Sequence, residues 1–369
     1  MSVFSNLIVG KKESVVDEML LLNPIQIPLL SMLGGFGNPV RNTLHEWNED
    51  EMYGYKSALA ADITDAATTL VLADADERQK FRVGHIIQIN EELMKVTAIS
   101  TGGTYELTVT RGYAGTTAAA ATAGESISIN FVEGEEGADA RTSRYKPRVN
   151  KQNYTQIFDD TVEVTGTAAE IEQYGIDKLY EYEKQKKLVE LALQLEKACI
   201  DGVKYSAGNV RQFAGLKAWI QTNIIDASAA DISKKMLNDA VQAVADHAGV
   251  AAGNYVFMVS PTQKRKIGAL DANSLIIERT DGVRGETVNW VVTDLGEFPV
   301  RVNPNLKPDE MIFMDVNRAK VRPLGSRSFF HEYLGKKGDY YSGMVVGEYT
   351  FEFKQEKAHS RLTNLKTTW

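Results

Sequence analysis

The residues with the means for chemistry are few and scattered. Five histidines, His45, His85, His247, His331 and His359, stand at no metal-ligand spacing, and no His-x-x-x-His occurs. Each reads as a surface or structurally satisfied histidine. Ser260 follows an apolar run and precedes Pro261, but the Gly-x-Ser-x-Gly turn that would expose a nucleophile is missing. Gly112 and Gly115 flank Tyr113-Ala114 without the helix start that a phosphate-cradling loop needs, so they read as turn glycines. Two acidic runs, Glu49-Asp50-Glu51 and Glu133-Gly134-Glu135-Glu136-Gly137-Ala138-Asp139, carry hard-cation ligands but lack the alternating pattern with a closing Glu. They read as solvated linkers. Lys264-Arg265-Lys266 reads as an exposed helix face, with a salt-bridging or weak phosphate-facing patch as the alternative. The lone Cys199 is a small buried hydrophobe that forms no internal disulfide. No catalytic constellation, metal site or cofactor site emerges, and the chain is not expected to be an enzyme.

The elements around these residues look built for contact with neighbours. At 369 residues and 43% hydrophobic content, two or three domains with real cores are expected. A net charge of −8 with no long Lys/Arg run disfavours tight nucleic-acid binding, and a single cysteine fits intracellular synthesis. The apolar stretch 19–33 is interrupted by Asn23, Pro24, Gln26 and Pro28, and is too short to span a membrane or to serve as a signal peptide. Its two prolines disfavour a regular helix. It is an apolar arm, to be laid either on the protein's own core or across a neighbouring subunit.

An extended segment over 40–52, holding Leu44, Glu46 and Trp47, leads into an Ala-, Thr- and Gly-rich region with strands expected at 69–72, 85–89, 93–99, 105–110 and 126–130. That pattern is a compact antiparallel β domain over 55–131, inserted at the tip of a long two-stranded loop. An alternating return strand over 145–164 then runs into a helix over 167–200. Thr167 and Glu170 have capping-box spacing, Gly175 is an interior weak point, and Asp201-Gly202 is the stop. At 1.5 Å per residue this helix would be roughly 45 Å long. An irregular region covers 206–226. A second helix is expected over 231–247, with Asp231 as its cap and Gly249 at its end. Strands near 255–260, 288–293, 298–302 and 311–315 complete a mixed α/β domain, and strands within 328–353 return beside the long helix.

The order of these devices resembles the major capsid proteins of tailed bacteriophages, the Hong Kong 97-like fold that bacterial encapsulin shells share. Within one branch of that family the local match lies in three places. They are the arm sequence Asn23 to Leu33, the Glu46-Trp47 pair followed by acids, and Arg148 with Asn153-Tyr154-Thr155-Gln156-Ile157-Phe158 and the Thr165-Gly166-Thr167 turn. The closing Glu356-Lys357-Ala358-His359 also looks like that branch. The resemblance implies an α+β fold made of an N-terminal arm (1–37), E-loop strands (38–54 and 132–166), a spine helix with a peripheral domain (167–230), an axial domain (231–322) and C-terminal strands (323–369), carrying the all-β insertion domain at 55–131.

The implied function is a major capsid protein forming hexamers and pentamers of an icosahedral head around double-stranded DNA. A portal and separate scaffolding or decoration proteins are the implied partners, with no membrane, metal or cofactor. Candidate intersubunit contacts are Pro24, Ile27, Pro28, Leu29 and Leu30 of the arm, with Trp47, Arg148, Asn153, Gln156 and Phe158. No scaffolding segment is visible ahead of the short arm, so a separate scaffold or none is expected, and no covalent cross-link is carried over. The role of the insert stays open between decoration, contact around the hexamer and reinforcement at a symmetry axis. An encapsulin-type compartment shell and, from another class, a tail-associated carbohydrate-binding adhesin are the rival readings.

Overall fold

The computed structural model describes residues 27–368 except 101–104, 138, 142, 173–175, 177, 249, 251–252, 271–274, 279–286 and 337. The chain divides into two units, one from the residues up to Trp47 together with those from Asn150 onward, the other from Asn48–Val149.

The larger unit is organised on the helix Leu179–Asp201 and the strand Tyr340–Phe353. Leu191, Leu195 and Cys199 recur every fourth residue, so their side chains stack on one face, and all three are fully buried. They meet Tyr349, Phe351 and Phe353, the alternate residues that point to the inner face of the strand, together with Phe158 and Phe213. Each such side chain contributes roughly 2 kcal/mol by leaving water. The strand is fixed on both edges. Gln156–Thr165 pairs antiparallel with it over Tyr340 to Tyr349, while Phe330–Lys336 and Ala319–Pro323 share the other edge.

The expected helix over 167–200 is in fact two. Gly166–Glu170 is capped by Thr165, whose hydroxyl accepts from the Ala168 N–H at 3.3 Å, so Thr167 is not the cap. Ile171 then turns extended (φ −78, ψ 120) with 59% of its surface exposed. With no core to bury Ile171, nothing offsets the entropy of continuing a helix through an interior glycine. Tyr174 and Gly175 themselves lie outside the described residues. Gly202 does end the long helix, but at φ −56, not in the left-handed region. Its use is close approach: a Cβ there would meet the Ala198 and Phe213 carbonyl oxygens.

A second core lies over a seven-stranded sheet. Its central strand Tyr255–Val259 is buried at every position, as a strand covered on both faces must be, and so reads as a continuous apolar run. It pairs parallel with Gly296–Val302 and antiparallel with Met311–Asp315. The helix Lys234–Ala245 lays Leu237, Ala240, Val241 and Val244 on Phe257, Phe298 and Phe313. Its cap is Ser233, which accepts from the Met236 N–H at 3.3 Å, rather than Asp231. Asp231 instead binds Lys266 at 2.5 Å and Lys366 at 3.0 Å. Lys266 is therefore buried, correcting its place on an exposed face, and Gly249 lies outside the described residues. Ser233→Ala is expected to lower stability by ~1 kcal/mol, the usual value of a side-chain cap, measured by urea unfolding.

The region 206–226 is ordered by a hairpin, Tyr205–Ala207 with Val210–Gln212, the short helix Leu216–Trp219, and Ile224–Asp226, which pairs parallel with Ser360–Thr363.

The smaller unit is a six-stranded antiparallel sheet. Its strand order is Lys56–Ala58, Ser126–Val132, His85–Ile89, Glu92–Ile99, Glu106–Thr110 and Thr69–Val71. Ile87, Ile89, Met94, Val96, Leu107, Val109 and Ile127 fill its core. Arg111 closes it. Its guanidinium forms a bidentate pair with the buried Glu92 at 2.7 Å and donates to the carbonyls of Thr64, Ala67 and Ala119. The acidic flanks are solvated, with Asp50, Glu51, Glu135, Glu136 and Asp139 exposed, and a few of their carboxylates are paired: Glu51 takes Lys146 at 3.0 Å, Asp50 takes Arg148 at 3.2 Å and Glu133 takes Lys95.

Candidate assembly site

The root of the arm is locked to its own chain. Pro28–Met32 is a short helix despite its proline, because Pro28 occupies the first helical position, where no N–H is needed. Its first turn has no side-chain cap of its own. The carboxylate of Glu196, on the long helix, takes that role, accepting from the Leu29 and Leu30 N–H groups at 2.9 Å each, while Asn303 donates to the same carboxylate at 2.7 Å. Glu196 is fully buried. Burial pushes its carboxyl above the usual carboxylate range, only partly opposed by these three hydrogen bonds. Downstream, the Gly37 and Val40 N–H groups donate to the Val321 and Pro323 carbonyls at 2.8 Å, and Phe36 lies on Tyr349 with ring centroids 4.8 Å apart.

A second lock lies on the other face of the strand Tyr340–Phe353. Glu348, Thr350 and Glu352 alternate with the core aromatics and are themselves buried. Glu348 accepts from the Thr155 hydroxyl at 2.7 Å and faces Arg211 at 3.3 Å and Arg327 at 3.1 Å. Glu352 binds His45 and Lys354 at 2.8 Å each, and Arg322. Burial is the largest single influence on the Glu352 carboxyl and raises it. The bonds from His45, Lys354 and Arg322 together overcome that and hold it far below the usual range.

His359 seals the junction of the two sheets. Its Nδ1 accepts from the Asp315 N–H and its Nε2–H donates to the Lys354 carbonyl, both at 3.2 Å, with the ring 4.1 Å from that of Phe353. Burial lowers its imidazole to about 4 from 6.5. Both depressed groups destabilise the fold on acidification. The unfolded chain protonates His359 at about pH 6.5 while the folded chain resists to about 4, and Glu352 adds its loss as pH falls below 4.5. The melting temperature of the protein is therefore expected to fall across that window, and His359→Gln to flatten the upper part of the decline, read by calorimetry at successive pH values.

Several of the candidate intersubunit residues take part in these locks. Leu29, Leu30, Trp47, Asn153 and Phe158 are buried within their own unit. Asn153 donates to the Phe351 carbonyl at 2.7 Å and accepts from the Ala214 N–H at 2.9 Å, and Trp47 packs on Trp219 at 5.3 Å. They are spent on the fold because the return segment breaks at the buried Thr155 and joins the sheet rather than running free. Ile27, Pro28 and Gln156 are half-buried and Arg148 is exposed. Pro24 lies outside the described residues. Glu196, Glu348 and Glu352 escaped the sequence reading. Their signal was present: Glu196 falls on the apolar stripe of its helix, between Ala192 and Ile200, and Glu348 and Glu352 alternate with aromatics.

Outward, apolar side chains remain uncovered on thin elements. Val203, Tyr205 and Val210 are each more than half exposed along the hairpin, as are Tyr333 and Leu334 on the edge strand Phe330–Lys336. Among the described residues no group of three or more metal-ligating side chains occurs, and no helix is long and apolar enough to cross a membrane.

An arm root pinned to a long helix, a loop strand annealed to the same sheet and a separate helix-covered sheet define a shell-building chain of the Hong Kong 97-like capsid fold. The solved structures agree on that fold. The capsid of Cyanophage A-1(L) matches with TM-score 0.54 at 9% identity, covering 98% of each chain. The capsid of a native GTA particle matches with TM-score 0.51 at 11% identity over 97% of this chain and 96% of the other. Microbacterium phage Oxtober96 matches with TM-score 0.50 at 12% identity over 96% of each. The chain belongs to the SU10 major capsid protein family, whose model matches residues 2–366. It is thus a major capsid protein of a phage head, a structural component of the virion shell and not an enzyme. No curated protein matches its sequence.

Proposed function

We propose that this chain builds the hexamers and pentamers of an icosahedral head that encloses double-stranded DNA. The family match over residues 2–366 carries the reading. In it, residues 1–37 serve as the arm, 38–54 and 132–166 as the E-loop, 55–131 as an insertion domain, 167–230 and 323–369 as the spine and peripheral domain, and 231–322 as the axial domain. A net charge of −8 suits a wall that contains DNA without gripping it. A portal occupies one vertex, and a separate scaffold or decoration proteins act on the outside or inside of the shell. The exposed apolar hairpin and edge strand supply repeated, individually weak contacts between copies. Sedimentation velocity on purified protein over a concentration series tests this. Hexamers, pentamers or larger closed species growing in with concentration are expected. A monomer or trimer that persists at every concentration would contradict it.

A further inference from the structure

One edge of the Asn48–Val149 unit carries cations and anions side by side that do not neutralise each other. Arg82, Arg141 and Arg144 converge on His85, and their field, after burial itself, holds that imidazole down to about 4. Arg141 donates to the Glu133 carbonyl, and Arg144 donates to the Lys80 carbonyl at 2.7 Å and lies 4.6 Å over the Tyr53 ring. These contacts fix the Arg141 and Arg144 guanidiniums in place but leave their charge uncompensated. No carboxylate among the described residues forms an ion pair with any of the three. Immediately beside them the backbone passes from Glu133, whose N–H donates to the Gly84 carbonyl at 2.8 Å, to the exposed Glu135, Glu136 and Asp139. Glu133 is taken by Lys95, while Glu135, Glu136 and Asp139 have no ion-pair partner among the described residues. Apolar surface adjoins: Val83 is 56% exposed, Phe131 52% and Tyr145 73%.

An edge rich in arginine and aromatic surface has the make-up of a protein interface. The alternation of sign decides the partner. A polyanion such as DNA would gain the arginines but meet the glutamates, and a polycation would meet the reverse. A second copy displaced along the edge satisfies both sets at once and excludes like-charge registers. Repeated by a rotation that closes, such a heterologous contact makes a ring.

We propose that the inserted β unit of one subunit binds the inserted β unit of the next around a capsomer, with Arg82, Arg141 and Arg144 of one copy receiving Glu135, Glu136 and Asp139 of its neighbour. The contact rests on the capsid reading above. It gives the insert a role in clamping subunits, and it weakens with salt, because exposed ion pairs are screened within about 10 Å at 0.1 M.

The test uses two full-length variants, Arg141→Glu/Arg144→Glu and Glu135→Lys/Glu136→Lys. All four positions are exposed, so the unit folds in both, checked by circular dichroism. Shells are counted by electron microscopy at low salt. Each variant alone is expected to assemble ~10-fold less than the wild type, since like charges then face each other. An equimolar mixture is expected to recover part of the yield, because the two variants complement each other when they alternate around a six-membered ring, while a five-membered ring keeps one like-charge contact. Wild-type yield and melting from both single variants would overturn the contact. So would a defect that mixing does not relieve, because that outcome places the charge effect within one chain. A wild-type chain that forms no shells would sink the capsid reading itself, and the contact with it.

Discussion

Glu196→Ala is expected to destabilise the protein by about 3 kcal/mol or more and to free the root of the arm. The substitution orphans three donors at once, the Leu29 and Leu30 N–H groups and the Asn303 amide, each in a site closed to water. An unsatisfied buried donor costs about 1–3 kcal/mol, and relief of the carboxylate's own desolvation returns only part of that. Glu196→Gln keeps one oxygen, which goes on accepting from Leu29 and Asn303, but turns its amide NH2 toward the Leu30 N–H, so it orphans one donor instead of three and is expected to cost less, about 1–2 kcal/mol. The pH dependence has the opposite sign to that of Glu352 and His359. The raised carboxyl means that the folded chain binds this proton more readily than the unfolded chain, so its contribution is largest below the unfolded value of 4.5. It is lost as pH rises through the folded value. Urea unfolding of the three chains gives the stabilities. Hydrogen exchange at Leu29 and Leu30 should accelerate in the alanine variant, whereas in the glutamine variant Leu29 should remain slow and Leu30 alone should accelerate.

Gly215→Ala is the second large effect, at about 3 kcal/mol or more. A Cβ at this position would lie 2.6 Å from the Ala198 oxygen, 2.7 Å from the Cys199 oxygen and 2.8 Å from the Gly202 nitrogen. All three are backbone atoms at the end of the long helix, so no side chain can swing aside, and the loop must lift off the helix. Lifting it breaks the 2.8 Å bond from the Gly215 N–H to the Gly202 carbonyl and uncovers Phe213 and Leu216, both fully buried. Gly134→Ala is the matched control, since nothing lies within 4 Å of its Cβ. It is expected to change stability by less than ~0.5 kcal/mol. Thermal melting of the two variants separates close approach from the general effect of replacing a glycine.

The contrast between what was legible in the sequence and what was not follows from the range of the interactions. Continuous apolar runs at 255–260 and 311–315 are local records of burial on both faces, four-residue spacing at Leu191, Leu195 and Cys199 is a local record of one-sided burial, and the structure keeps them. The failures occur where a distant partner overrides a local signal. Thr167 and Glu170 spell a capping box, yet Thr165 caps, because the Gly166 N–H is drawn to the Asp339 carbonyl at 2.9 Å from another part of the chain. Asp231 precedes a helix like a cap but is claimed by Lys266 and Lys366. Lys266 looks exposed in a basic triplet and is buried for the same reason. The buried acids are the hardest case. Glu196 is recognisable as a carboxylate on an apolar stripe, but its partners lie 107 to 167 residues away. The motif Asn153 to Phe158 stands out in the sequence, and in the structure Asn153, Thr155 and Phe158 hold the loop strand onto its own sheet through partners about 60 to 200 residues away, which no local pattern records.

The central claim is that this chain is the wall of a phage head, with arm root and loop strand locked internally so that thin exposed elements are left for other copies. Negative-stain electron microscopy of the purified protein, at rising concentration and with mild crowding, tests it most directly. Closed shells of uniform size, or hexameric and pentameric rings, are the predicted result. A field of monomers or trimers under every condition would contradict it.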